Sequence, residues 1–317
     1  ANPSYRGDRA PRIETIEIRT IEDPAAFRAL AVSGDVDVVA VAAAAESALV
    51  DALERESGMQ VTVSPGGELE QLQLMLADSR NRVFADPRVR EAFLHTVPRA
   101  ELAASVDAVM LDSFLVPPSS ADYSDIVADE SADYAQPELG VAAVLLAEAG
   151  SAGAEVCVLY DPADPVRVRE FELIRDAAAP AGFRVTDCST PDWMRMLGRG
   201  GAYDAVLLSF DLAPLGPAAA GALLRSDSTT LNLNRFAGPA TDTLIDQLAA
   251  SDDPALQAEL VGRLDEKVWA ASAGVPLFAT PAATAVGPAV SGVSHSAFGG
   301  SVFWNAWMWQ PTPHTPR

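Results

Sequence analysis

Between residues 139 and 188 the apolar side chains change period three times. A helical stripe covers 139–149 and stops at Gly150, and a compact apolar strand follows at 155–160. A second helical stripe runs over 165–179 to the break at Pro180 and Gly182, and another strand occupies 183–188. A strand, helix, strand crossover of this length joins parallel strands with a right-handed connection. Parallel strands bury both faces and need helices to cover them, so the chain is constrained to an α/β architecture. Cys157 and Cys188 fall in the two strands. They form a disulfide if the strands are neighbours with suitable geometry, or remain two buried thiols. Two cysteines are too few for a four-cysteine zinc site or a disulfide scaffold.

The flanking sequence repeats this alternation more weakly. Residues 13–21 alternate apolar and charged side chains and predict a strand. Asp23-Pro24 starts a helix that Ser33-Gly34 ends, and 35–41 is a second strand. A helix over 44–56, a strand at 60–64, a turn at Pro65-Gly66-Gly67 and a strand over 69–76 follow. Asp86-Pro87 opens another helix. Residues 112–137 read as a long irregular segment held by Phe114, Leu115, Tyr123 and Tyr134. A strand from Tyr203 to Phe210, helices over 240–250 and 254–271, and an apolar extended end from Val275 complete the pattern. At 317 residues the chain is too long for one small domain. The expected division is 1–70 and 272–317 in one lobe and 71–271 in the other. The chain then crosses between lobes twice, an arrangement that makes hinges and ligand clefts.

Composition excludes several functions. Lys and Arg total 22 against 44 Asp and Glu, a net charge of -22, the wrong sign for gripping nucleic acid by its phosphates. No run of about 18 uncharged apolar residues is present to span a bilayer. The opening Ala1-Asn2-Pro3 carries no leader pattern. His95, His295 and His314 have no metal-site spacing, and no zinc-protease, serine-hydrolase, dinucleotide or phosphate-loop motif occurs. Gly198-Arg199-Gly200-Gly201 precedes a strand and reads as a turn. No cofactor and no catalytic residue is expected, and an enzyme is the least favoured class.

Several motifs follow one another along the chain. They are Asn2-Pro3-Ser4-Tyr5-Arg6-Gly7 with Pro11 and Ser33-Gly34-Asp35-Val36-Asp37, then Phe84-Ala85-Asp86-Pro87-Arg88-Val89-Arg90, then Leu145-Leu146-Ala147-Glu148-Ala149-Gly150. Tyr203-Asp204, Val275-Pro276-Leu277-Phe278 and Trp304-Asn305-Ala306-Trp307-Met308-Trp309 follow. Together they resemble the extracellular solute-binding proteins of family 5, the oligopeptide, dipeptide and nickel receptors of ABC importers. The resemblance implies an α/β, two-lobed periplasmic-binding-protein-like fold (type II, cluster C) lacking the N-terminal part of lobe I. It also implies a peptide or similar polar small solute as ligand, ABC permease subunits as partners, and an extracytoplasmic protein touching the membrane only through a lipid anchor on a missing N-terminus. In that family a tryptophan and an aspartate after the Tyr-Asp strand hold the peptide. Their positions carry Phe210 and Ala213 here, with Asp211 as the available carboxylate. The other candidate ligand contacts are Gln71 and Gln73 on the first lobe crossing, and Asn232, Asn234 and Arg235, the last suited to clamping a carboxylate. The terminal tryptophans are expected to close a core. The alternative is a cell-envelope lipoprotein of the same fold with a regulatory or glycolipid-related role and no transport, which the Ala213 departure favours.

Overall fold

Residues 11–21, 23–42, 47–211, 218–228, 231–236, 238–294 and 302–312 are described by a computed structural model of the protein. Asn2 to Gly7, residues 44–46 and Ala213 lie outside the described residues. In chain order the elements are α1 (Pro24–Ser33), β1 (Val38–Ala42), α2 (Ser47–Ala52, widening into a π turn over Leu53–Ser57), β2 (Gln60–Leu74), α3 (Pro87–Leu94), α4 (Arg99–Ala104) and β3 (Val109–Met110). Then come α5 (Tyr123–Ile126), α6 (Leu139–Glu148), β4 (Glu155–Leu159), α7 (Pro165–Ala178), β5 (Arg184–Asp187), α8 (Trp193–Met196) and β6 (Ala205–Asp211). The last are α9 (Ala218–Leu224), α10 (Pro239–Ala250), α11 (Pro254–Ala270), β7 (Gly274–Val286), β8 (Val290–Ser291) and β9 (Gln310–Pro311).

Four helix starts follow one local rule. α1, α3, α7 and α11 each begin on Asp-Pro, the aspartate side chain accepting the N–H two residues on at 2.9–3.0 Å. Proline at the first helical position gives up a donor that has no helical partner there.

Two expectations fail. Residues 13–21 form no strand: Ile16 and Ile18 are exposed and the segment pairs with nothing in the ladder. Alternation gives a strand only where a neighbour accepts its hydrogen bonds. Pro65-Gly66-Gly67 is no turn but lies inside β2, which runs unbroken from Gln60 to Leu74. Neither glycine has a positive φ, so the chain stays extended instead of reversing.

The chain divides into two compact units, residues 1–66 with 281–317 and residues 67–280, so both crossings fall within strands, β2 and β7. In the first unit β1 pairs antiparallel with β7 from Val38–Val286 to Ala42–Ala282. A small core of Ala31, Val39, Leu49, Leu53, Met59 and Ala285 lies there. In the same unit Trp309 is buried and donates to Asn305 Oδ1 at 2.9 Å, whereas Trp304 is exposed.

The second unit holds the larger core, on a mixed sheet in the order β3, β7, β2, β6, β4, β5. β4 is parallel to β5 and β6, as the crossover requires, and β2 is antiparallel to β6. Cys157 of β4 and Cys188, one residue past β5, form a disulfide with 5.6 Å between Cα atoms. The Tyr203-Asp204 landmark is a structural pin. Buried Asp204 accepts from the Asn81 N–H at 2.7 Å, Asn81 Nδ2 at 2.8 Å and the Cys157 N–H at 3.0 Å, tying the 78–82 turn to β4. Tyr203 Oη accepts the Gly198 N–H at 3.0 Å and fixes the glycine turn. Fully buried Arg99 donates to the carbonyls of Pro276, Ser131 and Leu111 and to Asp112, with its guanidinium 5.4 Å from the Trp269 ring centre. Along the irregular 112–137 segment, Asp265 of α11 accepts the Phe114 N–H at 2.8 Å and Ser113 Oγ at 3.0 Å.

Candidate functional site

The parallel strands β4, β5 and β6 end on one edge of the sheet, the side where open α/β sheets present their ligands. The register makes β6 outrun its neighbour: β4 ends opposite Val206, whereas β6 continues to Asp211 beside β2. Alternation along this overhang puts Glu68 and Glu70 of β2 on one face with their cross-strand partners Asp211 and Ser209. The first turn of α7 lies against this face. Arg167 grips Glu70 with two bonds of 3.2 Å and donates to Ser209 Oγ at 3.2 Å. Ser209 in turn donates to Glu68 at 3.4 Å. The Arg167 guanidinium lies 5.4 Å from the Trp193 ring centre. Exposed Glu68 and Asp211 face each other across the strands, a like-charge pair that costs stability unless a cation lies between them.

Deeper under α7 lies Glu170, 1% exposed, both of its carboxylate oxygens lacking a hydrogen-bond partner. Burial drives its pKa well above the ordinary carboxylate range, and the Glu70 charge pushes the same way. Burial raises Glu70 too, despite the opposing Arg167 charge. For Arg167, desolvation pulls the pKa down, but the Glu70 charge and hydrogen bonds prevail and raise it. The guanidinium stays charged and is already committed to protein partners, so the edge offers negative charge to a ligand.

The sequence candidates separate. Phe210 and Asp211 sit on this edge; Phe210 points to the opposite face and is 9% exposed, and Asp211 is exposed. Gln71 and Gln73 project from the other face of β2 and are buried. Gln71 donates to the Phe114 carbonyl at 2.9 Å and accepts from Gln73 at 3.1 Å. Asn232 is buried and donates to the Arg225 carbonyl at 3.1 Å. Asn234 accepts the Phe236 N–H, its own carbonyl taking the Leu76 N–H, and exposed Arg235 reaches the Gly198 carbonyl at 3.5 Å. Leu76 and Gly198 mark the opposite end of β6, about 20 Å from Asp211 at the rise of an extended strand. Asn234 and Arg235 therefore do not converge with Phe210 and Asp211. Sequence reasoning missed Glu68, Glu70, Arg167, Glu170 and Trp193. The available signal was the polar pair Glu68 and Glu70 in phase with Leu72 and Leu74 on an otherwise buried strand face. Among the described residues no group of three or more His, Cys, Asp or Glu is arranged to hold a metal ion.

The model of the bacterial extracellular solute-binding proteins, family 5 Middle, matches residues 1–231. The chain belongs to this family. An uncharacterized lipoprotein of Mycobacterium tuberculosis, Rv2585c, is 27% identical over 278 residues, 86% of this chain and 48% of that protein. The chain thus spans about half the length of the curated relatives it matches. Among solved structures, the periplasmic EDTA-binding protein EppA superposes with a TM-score of 0.76 at 20% identity, over 91% of this chain and 56% of that one. The oligopeptide-binding protein AppA of Bacillus subtilis, in complex with a nonapeptide, gives 0.72 at 15% identity, over 92% and 59%. The mixed α/β fold is that of the two-lobed periplasmic binding proteins, and family and fold are those of binding proteins.

Proposed function

We propose that this chain is the solute-capturing part of an ABC importer's receptor, and that it holds the amino end of a peptide or a similar polar cation at the carboxyl edge of β4, β5 and β6. The observation that carries the reading is the Glu68 and Asp211 pair, two exposed carboxylates opposite one another beside a guanidinium already in use. An ammonium group between them relieves their repulsion and gains charge-assisted hydrogen bonds. Asp211 takes the part left open by Ala213, and Trp193 supplies aromatic surface beside Arg167 on the same face. Asn234 and Arg235, at the far end of β6, serve the fold of their own unit. The family description, AppA's bound nonapeptide and the extracellular family name support a solute receptor that delivers to permease subunits. A cell-surface position with a lipid anchor fits the lipoprotein names of the relatives and a disulfide made by the two cysteines of the chain.

A second reading keeps the fold and drops transport: a cell-envelope lipoprotein with a regulatory or glycolipid-related role. It is favoured by Ala213 and by mycobacterial relatives that are named only as lipoproteins. Native mass spectrometry of the full-length protein, purified without denaturation, separates the two. A co-purified peptide mixture, with occupancy lost in Asp211→Asn and with N-acetylated peptides rejected, supports the receptor. A bound glycolipid overturns it in favour of the second reading.

A further inference from the structure

Glu170 is the one buried acidic side chain among the described residues with neither carboxylate oxygen hydrogen-bonded. It sits one helical turn beyond Arg167, on the same face of α7. Every charge acting on it is identifiable. Glu70 reaches it from β2, Arg167 and Asp164 belong to the first turn of its own helix, and Glu68 acts through Glu70. β6 supplies uncharged Ser209 to this cluster, and its exposed Asp211 lies opposite Glu68 on the same face. The charges of β4 and β5 are occupied elsewhere, Glu155 with Arg184 and Asp187 with the Tyr160 hydroxyl. Two buried carboxylates therefore compete for a single guanidinium, and that guanidinium also holds Ser209 and stacks on Trp193 at the edge.

We propose that Glu70 and Glu170 bind one proton between them, and that losing it re-seats Arg167, so that the charge state of the interior is linked to the Trp193 edge of the ligand site. With the proton in place, one guanidinium balances one carboxylate, and Glu170 is a neutral acid that tolerates its apolar surroundings. When the proton leaves to solvent, the buried cluster carries a net single negative charge. Arg167 is then drawn between both carboxylates and gives up part of its hold on Ser209 and Trp193. The link to solute capture rests on the receptor reading above; the proton site and the movement of Arg167 do not, and ligand-free protein tests them.

The experiment is a pH titration of the ligand-free chain by infrared spectroscopy and tryptophan emission. The wild type minus Glu170→Gln difference spectrum should show the band of a protonated carboxylic acid at neutral pH, which separates it from Asp265. That band should disappear in a single one-proton step above the ordinary carboxylate range. In Glu70→Gln, Arg167 is left to Glu170 alone, so the step should move down by about one pH unit or more. The wild type minus Trp193→Phe difference in emission, which removes the other tryptophans, should change with the same midpoint, and the corresponding difference in a Glu170→Gln background should stay flat. Should Glu170→Gln fail to fold, the Glu70→Gln shift and the Trp193→Phe comparison carry the test. The proposal is overturned by a difference spectrum without a protonated-acid band at neutral pH, by an unmoved step in Glu70→Gln, or by a wild type minus Trp193→Phe emission difference that does not change with pH.

Discussion

Asp265 gives the sharpest test of the packing. Its carboxylate is fully buried on α11, where one oxygen accepts the Phe114 N–H and Ser113 Oγ. Burial pushes its pKa from the ordinary 3.8 to about 7; the bonds from Phe114 and Ser113 oppose the rise without cancelling it. A carboxyl whose pKa is higher in the folded than in the unfolded state binds its proton more tightly when folded. Its contribution is fully present below about pH 4 and is lost as pH rises to about 7. A shift of about 3 units corresponds to roughly 4 kcal/mol, of which roughly 3 kcal/mol falls between pH 5 and 9. Asp265→Asn keeps the accepting oxygen but never ionises. The variant also places a donor where the other oxygen has no hydrogen-bond partner, which costs about 1–3 kcal/mol at any pH. Urea unfolding of wild type and variant from pH 5 to 9, followed by tryptophan emission, should therefore show the wild type losing stability relative to the variant as pH rises. The difference, wild type minus variant, should fall by roughly 3 kcal/mol from pH 5 to pH 9. Parallel stability curves over that range would refute the reasoning, because the difference between the two proteins removes every other titrating group.

Two further outcomes follow from covalent and steric features. Reducing the Cys157–Cys188 bond, or replacing both cysteines by serine, frees a loop of 31 residues and should lower stability by about 3–4 kcal/mol, read as a drop in urea midpoint with and without reductant. Gly274→Ala would put a Cβ 2.3 Å from the Leu72 carbonyl oxygen, backbone against backbone where β7 passes β2, and should cost about 3 kcal/mol or more in the same assay. A fully stable Gly274→Ala variant would mean that β7 does not pass β2 this closely.

Much of this molecule follows from local chemistry. Asp-Pro pairs start helices because a carboxylate and a ring without an N–H satisfy the first turn wherever they occur, and α1, α3 and α7 were legible on that ground or from their periodicity. The crossover from β4 through α7 to β5 was legible because the two hydrophobic periods and the handedness rule leave one arrangement. Local pattern misled where a neighbour had to decide: 13–21 has the alternation of a strand without a partner, and Pro65-Gly66-Gly67 stays extended inside β2. The site shows the same division. Phe210 and Asp211 could be placed at the end of a strand from sequence. That Glu68 and Glu70 lie opposite Asp211 and Ser209 is a matter of register, and register is fixed by pairing between segments about 140 residues apart. That Arg167 and Glu170 face the same patch depends on how α7 packs on the sheet. The sequence by itself determined an acidic α/β chain of the family-5 pattern, because period, caps and motif order are short-range. Only the tertiary structure decided which carboxylates meet and which are buried, because the energy of a charge depends on what surrounds it.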